Sequence, residues 1–325
     1  MKLPRRGLLR LTMGAALSAL PRMASAQAYP ARPVRMIVPF GPGGPTDVCA
    51  RIIAQKLSEQ LGRQFFVENV PGASSNIGTG QAARAAPDGY TLLVTVNNLV
   101  INPTLFGTVP FDPFKSFEPV ILSAGFASAL VVHTSMPGRT VAELVGHIKA
   151  NPTKYSFASA GIGTPSHLLG EQFRLAAGLD LVNVPYGGSG PATASVVAGH
   201  TPIGFVAVAA AAPHVQDNKL VALAVMSKAR SPAMPQVPTI AEAGYPGLDG
   251  DAWVGVLVPA GTPKEIVTLL HREIAKMIAL PEMQERLATL GLEPLGGTPE
   301  EFARQIRFET EKWSKVIRAA NLKAE

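Results

Sequence analysis

The sequence predicts an α/β protein of two domains with a ligand cleft between them. Three observations lead there. Strand-like and helix-like segments alternate along most of the chain. Four loops of small residues each run into a helical pattern. About 299 residues remain once an N-terminal leader is set aside, more than a single core ordinarily holds. The expected parts are a leader over 1–26, a first domain from 27–126 and 252–325, and a second domain over 127–251.

The leader is read from its charge and composition. Lys2, Arg5, Arg6 and Arg10 precede a short apolar core, Leu11 to Leu20, and Ala24-Ser25-Ala26 before Gln27 forms a small-x-small cleavage site. Arg5-Arg6 resembles a twin-arginine export signal. An apolar core of this length falls short of the roughly 20 residues that span a bilayer. The destination expected is the periplasm, with cleavage after Ala26. Without the five basic residues of the leader, 24 basic residues stand against 23 acidic ones. Nothing then argues for a nucleic-acid or anionic-membrane surface. Cys49 is the only cysteine, so an internal disulfide is excluded.

Val34–Phe40 reads as a buried strand. A helix follows from Thr46 to Leu61, with Cys49, Ile52, Ile53, Leu57 and Leu61 on one face and Gly62 as its stop. Phe65–Glu68 is a second strand. The loop from Pro71 to Gly80 leads into a short helix ending near Ala86, and Tyr90–Val96 is a third strand. This β-α-β-α-β order argues for a largely parallel sheet. Asn97–Phe117, rich in Asn, Pro and Phe, is expected to wrap the domain edge. Pro119–Val132 is expected to be one strand leading into the second domain.

Thr140-Val141-Ala142-Glu143 is a capping box that opens a helix to about Ala150. Tyr155–Ala158 is a strand, and Gly161-Ile162-Gly163-Thr164-Pro165 is a turn with Thr164 at N-cap and Pro165 at N1 of a helix ending at Gly178. Leu181–Val184, Gly204–Val208 and Leu220–Met226 read as strands, with a Gly-rich loop and a helix to about Ala198 after the first. Ser231–Gly250 suits a surface linker, and Ala252–Pro259 a strand crossing back to the first domain. Thr262-Pro263-Lys264-Glu265 and Thr298-Pro299-Glu300-Glu301 read as capping boxes of two long amphipathic helices.

The chemistry is expected in the four loops 40–47, 71–80, 159–167 and 186–191. Besides Tyr186 their only ionisable residues are Asp47 and His167. With no Arg or Lys, an anion would be held by backbone N–H groups, hydroxyls, helix N-termini and water. Asp47 is expected to cap its helix or to hydrogen-bond the Gly41–Gly44 backbone; it could also receive a ligand ammonium. His167 divides evenly between a packed, partly buried histidine and a ligand-shell hydrogen bond.

No catalytic constellation can be assembled. Gly187-Gly188-Ser189-Gly190-Pro191 fails as a nucleophile elbow at its last position, and the six histidines lack metal-ligand spacing. There is no Walker sequence and no Gly-x-Gly-x-x-Gly. No enzyme activity, metal or cofactor is expected. The alternative of a hydrolase or lyase would need a strained nucleophile or a matched acid/base pair.

Taken together, Val38-Pro39-Phe40-Gly41-Pro42-Gly43-Gly44-Pro45-Thr46-Asp47, Glu68-Asn69-Val70-Pro71-Gly72-Ala73 with Asn76-Ile77-Gly78, Pro87-Asp88-Gly89-Tyr90-Thr91-Leu92, Ala158-Ser159-Ala160-Gly161-Ile162-Gly163 with His167, Val184-Pro185-Tyr186-Gly187-Gly188, Val237-Pro238-Thr239-Ile240-Ala241-Glu242-Ala243-Gly244 and Trp253-Val254-Gly255 resemble the Bug receptors. These are extracytoplasmic solute-binding proteins of tripartite tricarboxylate transport systems. The resemblance implies a type II periplasmic-binding-protein fold, closure on a small organic acid, and a first pair of loops that grips one carboxylate through main-chain groups and water. It implies delivery to a membrane permease, or service to a sensor kinase as an orphan receptor, by a chain expected to be a monomer.

Carried onto this sequence, the expected contacts are Phe40, Gly43, Gly44, Thr46 and Asp47 in the first loop and Ala73, Ser74, Ser75 and Asn76 in the second. Asn97, Ser159, Gly161, Gly163, Thr164, His167, Tyr186, Gly187, Gly188 and Ala207 complete the set. Where the family often shows a Gly-x-Val-Asp strand, this chain has Gly204-Phe205-Val206-Ala207. The expected ligand is therefore a carboxylate with an apolar or aromatic body rather than an amino acid.

Overall fold

The computed structural model describes residues 29–152, 154–248, 250–319 and 322, and the predicted leader and cleavage site lie outside them. Arg32–Glu325 packs as one compact unit.

The apolar run at its start makes β1 (Val34–Val38), buried except for Arg35. Helix α1 (Pro45–Leu61) follows, then β2 (Phe65–Asn69), a short 3₁₀ turn over Ala73–Ser75, α2 (Asn76–Ala83) and the fully buried β3 (Thr91–Thr95). Next come α3 (Asn98–Phe106), β4 (Phe117–Phe126), β5 (Ser128–His133), α4 (Val141–Ala150), β6 (Ser156–Ser159) and α5 (Pro165–Ala177). The chain continues with β7 (Val182–Pro185), α6 (Ser189–Val197), β8 (Ile203–Ala207), α7 (Val208–Gln216) and β9 (Leu220–Val225). It ends with β10 (Ala252–Pro259), α8 (Lys264–Ala279), α9 (Pro281–Thr289), β11 (Glu293–Gly296) and α10 (Pro299–Ala319).

The strands form two sheets. One has the order β11-β4-β10-β3-β1-β2, with β1 parallel to β2 and β3, and β10 antiparallel to β3 and β4. The other has the order β7-β6-β8-β5-β9, with β6 parallel to β7 and β8, and β5 antiparallel to β8 and β9. Each sheet buries its own aromatics. Trp253 meets Phe302 edge-on at 5.3 Å on the first, and Phe205 lies between Phe157 and Phe173 at 5.4 and 5.7 Å on the second. We call each sheet with its helices a lobe. The C-terminal ends of the parallel strands and the loops leaving them face the cleft between the lobes, as in other open α/β sheets.

Several sequence expectations need correction. Pro119–Val132 is two strands rather than one: Phe126 pairs with Ala252 in the first sheet, Ser128 pairs with Ala207 in the second, and Ala127 alone separates them. A switch between sheets made by one alanine leaves no compositional mark. Asn97–Phe117 does not merely wrap an edge. It contains α3, with Leu99, Val100, Ile101, Asn97, Asn98 and Asn102 all fully buried. Asn and Pro103 lower helix propensity there, but packing against α10 overrides it, with Thr104 and Ser314 hydroxyls 2.7 Å apart.

The strand predicted over Gly204–Val208 stops at Ala207, because Val208 opens α7 and its N–H bonds the Ala127 carbonyl. Ser231–Gly250 is not a mere surface linker: Ile240 and Met234 are buried, and Ile240 and Val225 tie the segment to β9. Of the capping boxes, those at Thr140 and Thr298 close, with both reciprocal bonds present. Thr262 instead donates its hydroxyl to the Pro259 carbonyl, and Pro263 is the N-cap of α8.

Candidate functional site

Four loops leave the two sheets toward one another, and each is held open by different chemistry. The first follows β1. Gly43 has φ +84°, a conformation glycine adopts without strain, and Gly44 caps α1 with no side-chain bond. Asp47, in the first turn of α1, braces the loop. One carboxylate oxygen accepts the Gly43 N–H at 3.1 Å and the Arg51 Nε at 3.0 Å, and the other accepts Asn69 Nδ2 at 2.9 Å and Arg51 at 2.9 Å. Asn69 also donates to the Phe40 carbonyl at 3.0 Å. Burial pushes the Asp47 carboxyl up, but the bonds from Arg51, Asn69 and Gly43 outweigh it and hold the group below its ordinary value. Of its alternative roles, the loop brace is the one its bonds describe.

The second loop follows β2 and turns through Ala73, Ser74 and Ser75, all with positive φ (44°, 54° and 77°). Asn102 of α3 holds it: its amide donates to the Ser74 carbonyl at 2.7 Å and to Asn76 Oδ1 at 2.8 Å.

The third and fourth loops belong to the second sheet and rely on hydroxyls. Thr164 caps α5 by accepting the His167 N–H and donates its hydroxyl to the Gly161 carbonyl at 2.6 Å. Ser166 accepts the Ala160 N–H at 2.9 Å. His167 is buried, its Nδ1 accepts the Gly163 N–H at 3.2 Å, and burial lowers its pKa to about 4, so it is uncharged at neutral pH. Gly188 caps α6, and Ser189 accepts the Ala207 N–H at 2.9 Å. The Tyr186 hydroxyl lies 2.9 Å from that of Thr201 and also pairs with Ser195.

The loops meet. The Gly41 N–H donates to the Gly187 carbonyl across the cleft at 2.8 Å, so the lobes are in contact. Among the described residues the loops border two neighbouring chambers, with Phe40, Ala160 and Thr164 in the walls of both. The deeper one, whose empty space of about 460 Å³ includes the open solvent at its mouth, is walled by Phe40, Val96, Phe126, Pro45, Pro165 and Ala207. Three helix starts reach it: Gly44–Asp47 of α1, Thr164–Ser166 of α5 and Gly188–Ser189 of α6. The outer one, about 550 Å³, is lined by Pro71–Ser75, Gly161, Ile162 and Pro185–Gly187. No Lys, Arg or His lines either chamber. In the deeper one the Thr46 and Ser128 hydroxyls make no hydrogen bond among the described residues, although both residues are almost wholly buried.

Of the predicted contact residues, Phe40, Gly44, Thr46, Asp47, Ala73, Ser74, Ser75, Gly161, Thr164, Tyr186, Gly187, Gly188 and Ala207 line the chambers. Gly43, Asn76, Asn97, Ser159, Gly163 and His167 stand outside the lining. Asn97 lies in the core, donating to Glu309 at 2.9 Å and accepting the Trp253 N–H at 3.1 Å. Sequence reasoning missed Val96, Phe126 and Ser128, while Ser166 and Ser189 fall within the expected loops 159–167 and 186–191 without being singled out as contacts. The first three sit at or beside strand ends, where a buried strand residue and a cleft residue look alike in sequence. Ser166 and Ser189 lie in first turns of helices. Among the described residues no cluster of metal-ligating side chains exists.

Known proteins share this arrangement. A UPF0065 protein in a tcbD-tcbE intergenic region of Pseudomonas sp. is 40% identical over 312 residues, 95% of this chain and 93% of that protein. The solved structure of the periplasmic binding protein BugD superposes with a TM-score of 0.88 at 35% identity, covering 91% of this chain and 100% of that one. An R. palustris protein with adipate superposes equally well, TM-score 0.88 at 34% identity, over 91% and 99%. The fold is therefore that of the periplasmic binding proteins. The profile of the tripartite tricarboxylate transporter family receptors matches residues 49–322, and this chain belongs to that family of solute-binding receptors.

Proposed function

We propose that the chain captures a small organic carboxylate between its lobes in the periplasm and presents it to a membrane permease of the tripartite type. The observation that carries this reading is the deep chamber. Three helix N-termini reach it, each a source of partial positive charge and free N–H groups, while no cationic side chain does. The one charged side chain in the wall, the Asp47 carboxylate, is taken up by Gly43, Asn69 and Arg51, so the helix ends favour an anion, each contributing about 0.3–1 kcal/mol or more where buried. Thr46 from the first lobe and Ser128 from the second have hydroxyls to give it. Phe40, Val96 and Phe126 suit an apolar or aromatic body, and Ala207 adds a methyl where an acid would be needed to meet an amine.

The R. palustris relative with adipate supports a carboxylate ligand. In this reading the lobes are residues 27–126 with 252–325, and 127–251, and a leader is cleaved after Ala26. The chain acts as a monomer and does no chemistry: the Asp47 carboxylate that lines the chamber is taken up by Gly43, Asn69 and Arg51, and no hydroxyl among the described residues is bonded to it. A thermal-shift screen of the purified protein against mono- and dicarboxylates, aromatic acids and amino acids tests it. An acid at 100 times its Kd should add about 2.7 kcal/mol. No shift with any acid, or catalytic consumption of the acid that binds, would remove the reading.

A further inference from the structure

Among the described residues, Ala73 to Ser75 form the one run of consecutive non-glycine residues with positive φ. Three consecutive residues with a side chain lie in the left-handed region, at φ 44°, 54° and 77°. A lone non-glycine residue there is uncommon, and each such residue persists only where its surroundings fix it. The turn lines the outer chamber, so its shape decides which N–H groups face a ligand. No side-chain bond from within caps the 3₁₀ turn or α2.

The restraint comes from α3. Asn102 is fully buried, and its Nδ2 reaches the Ser74 carbonyl at 2.7 Å, Asn76 Oδ1 at 2.8 Å and Ser75 Oγ at 3.4 Å. Asn98, one turn earlier, donates to the same Ser74 carbonyl at 3.3 Å. The other end of the Asn102 amide faces the opposite lobe. A Cβ placed on Gly163 would lie 2.6 Å from Asn102 Oδ1 and 2.9 Å from Leu105 Cδ2. Gly163, at φ +73°, thus sits close to this side chain, and any larger residue there would be strained and would displace the Asn102 oxygen, which also accepts Asn98 Nδ2 at 3.5 Å. Asn102 touches both the strained turn of one lobe and the loop that arrives from the other.

We propose that Asn102 is a positioning residue that holds the Ala73–Ser75 turn in its left-handed conformation, and that Gly163 locks the Asn102 amide in place where the lobes meet. Closure and the shape of the carboxylate-facing turn are then coupled through one side chain. The inference deepens the receptor reading above, but its test needs no carboxylate, so the two fail separately.

Amide hydrogen exchange at Asn76 and Ile77, whose N–H groups bond the Ala73 and Gly72 carbonyls, reads the turn directly. Asn102→Ala should speed exchange at both positions by about tenfold or more, the equivalent of one or two lost hydrogen bonds. Adding Ser74→Gly and Ser75→Gly to Asn102→Ala should bring most of the protection back, because glycine adopts positive φ without restraint. A role in core packing alone would not be rescued this way. Gly163→Ala, on the other lobe, should raise exchange at the same two amides. Unchanged exchange in Asn102→Ala, or glycines that fail to restore it in a folded protein, would overturn the positioning role. Unchanged exchange in Gly163→Ala would overturn the lock.

Discussion

The two walls of the cleft solve one problem with different chemistry. Both must keep glycine-rich loops open, with N–H groups turned toward a ligand. The first lobe does it with a carboxylate and amides: Asp47 gathers Gly43, Asn69 and Arg51, and Asn102 gathers Ser74 and Asn76. The second does it with hydroxyls and one uncharged imidazole: Thr164 and Ser166 bond their own loop, Ser189 accepts the Ala207 N–H at the end of β8, Tyr186 bonds Ser195 and Thr201, and His167 accepts from Gly163. A carboxylate brace works only in its ionised state and an imidazole acceptor only in its neutral one. The two walls should therefore respond to pH in separate windows.

The largest effect is expected at His167. Its folded pKa, about 4, lies below the ordinary 6.5 because burial disfavours the charged ring. Between these values the unfolded chain binds a proton that the folded one does not, so stability falls as pH drops from 6.5 to 4 and the loss is complete below 4. The full cost is about 3 kcal/mol. A melting curve taken across this window should slope downward toward acid, and His167→Gln should flatten it. A slope that survives in His167→Gln would place the titration elsewhere. Asp47 acts in the same direction but in a more acid window: its folded pKa is depressed, so its contribution is present above the ordinary carboxylate value of 3.8 and is lost as pH falls through the lower folded value.

Asp47→Ala tests the carboxylate wall at neutral pH. It strips partners from the Gly43 N–H, the Asn69 amide and the Arg51 guanidinium, which is itself half exposed and regains water. A loss of about 2 kcal/mol is expected, with weakened binding. An unchanged melting temperature and unchanged affinity would show that the loop does not need its brace.

How much of this could be read from the sequence follows the same division. Strand β1, the Gly43 turn and the start of α1 were legible because an apolar run, glycines and a helical period are local signals. The Thr164–Pro165 start of α5 was legible for the same reason. The sheet switch at Ala127 was not, since Ala is at home in a strand, a turn or a helix. Asn97 was expected at the ligand and is found against Glu309 and Trp253, two contacts more than 150 residues away along the chain. Ser128 and Phe126 were read as interior strand residues, and they are; that the interior there opens on a chamber is set by how the lobes meet. Asn102 lies in the segment expected to wrap the domain edge, and its hydrogen-bond partners Ser74, Ser75 and Asn76 come from a loop far along the chain.

Gly44→Val probes the shared chamber rather than either wall. An added Cβ would find Ser189 at 3.8–3.9 Å, ordinary contact, and φ at this N-cap is −86°, open to any residue. The fold should therefore tolerate it. The two methyl groups beyond that Cβ would crowd the deep chamber where the α1 and α6 starts converge. Binding of the acid found by the melting screen should be lost while the unliganded melting temperature moves little. Full affinity would mean that the anion is not held against the backbone here.

The smallest effect is expected from Tyr186→Phe. The phenol joins Ser195 and Thr201, but those two hydroxyls also bond each other at 3.2 Å, so removing the phenol leaves neither without a partner. The ring still lines the outer chamber. A loss of about 0.5–1 kcal/mol in stability is expected. Affinity should hold if the ring acts by its apolar face and by fixing the loop before Gly187, whose carbonyl meets the Gly41 N–H. A large loss of affinity with little loss of stability would instead make the phenol a direct donor to the ligand, and the hydroxyl wall would then bind as well as brace.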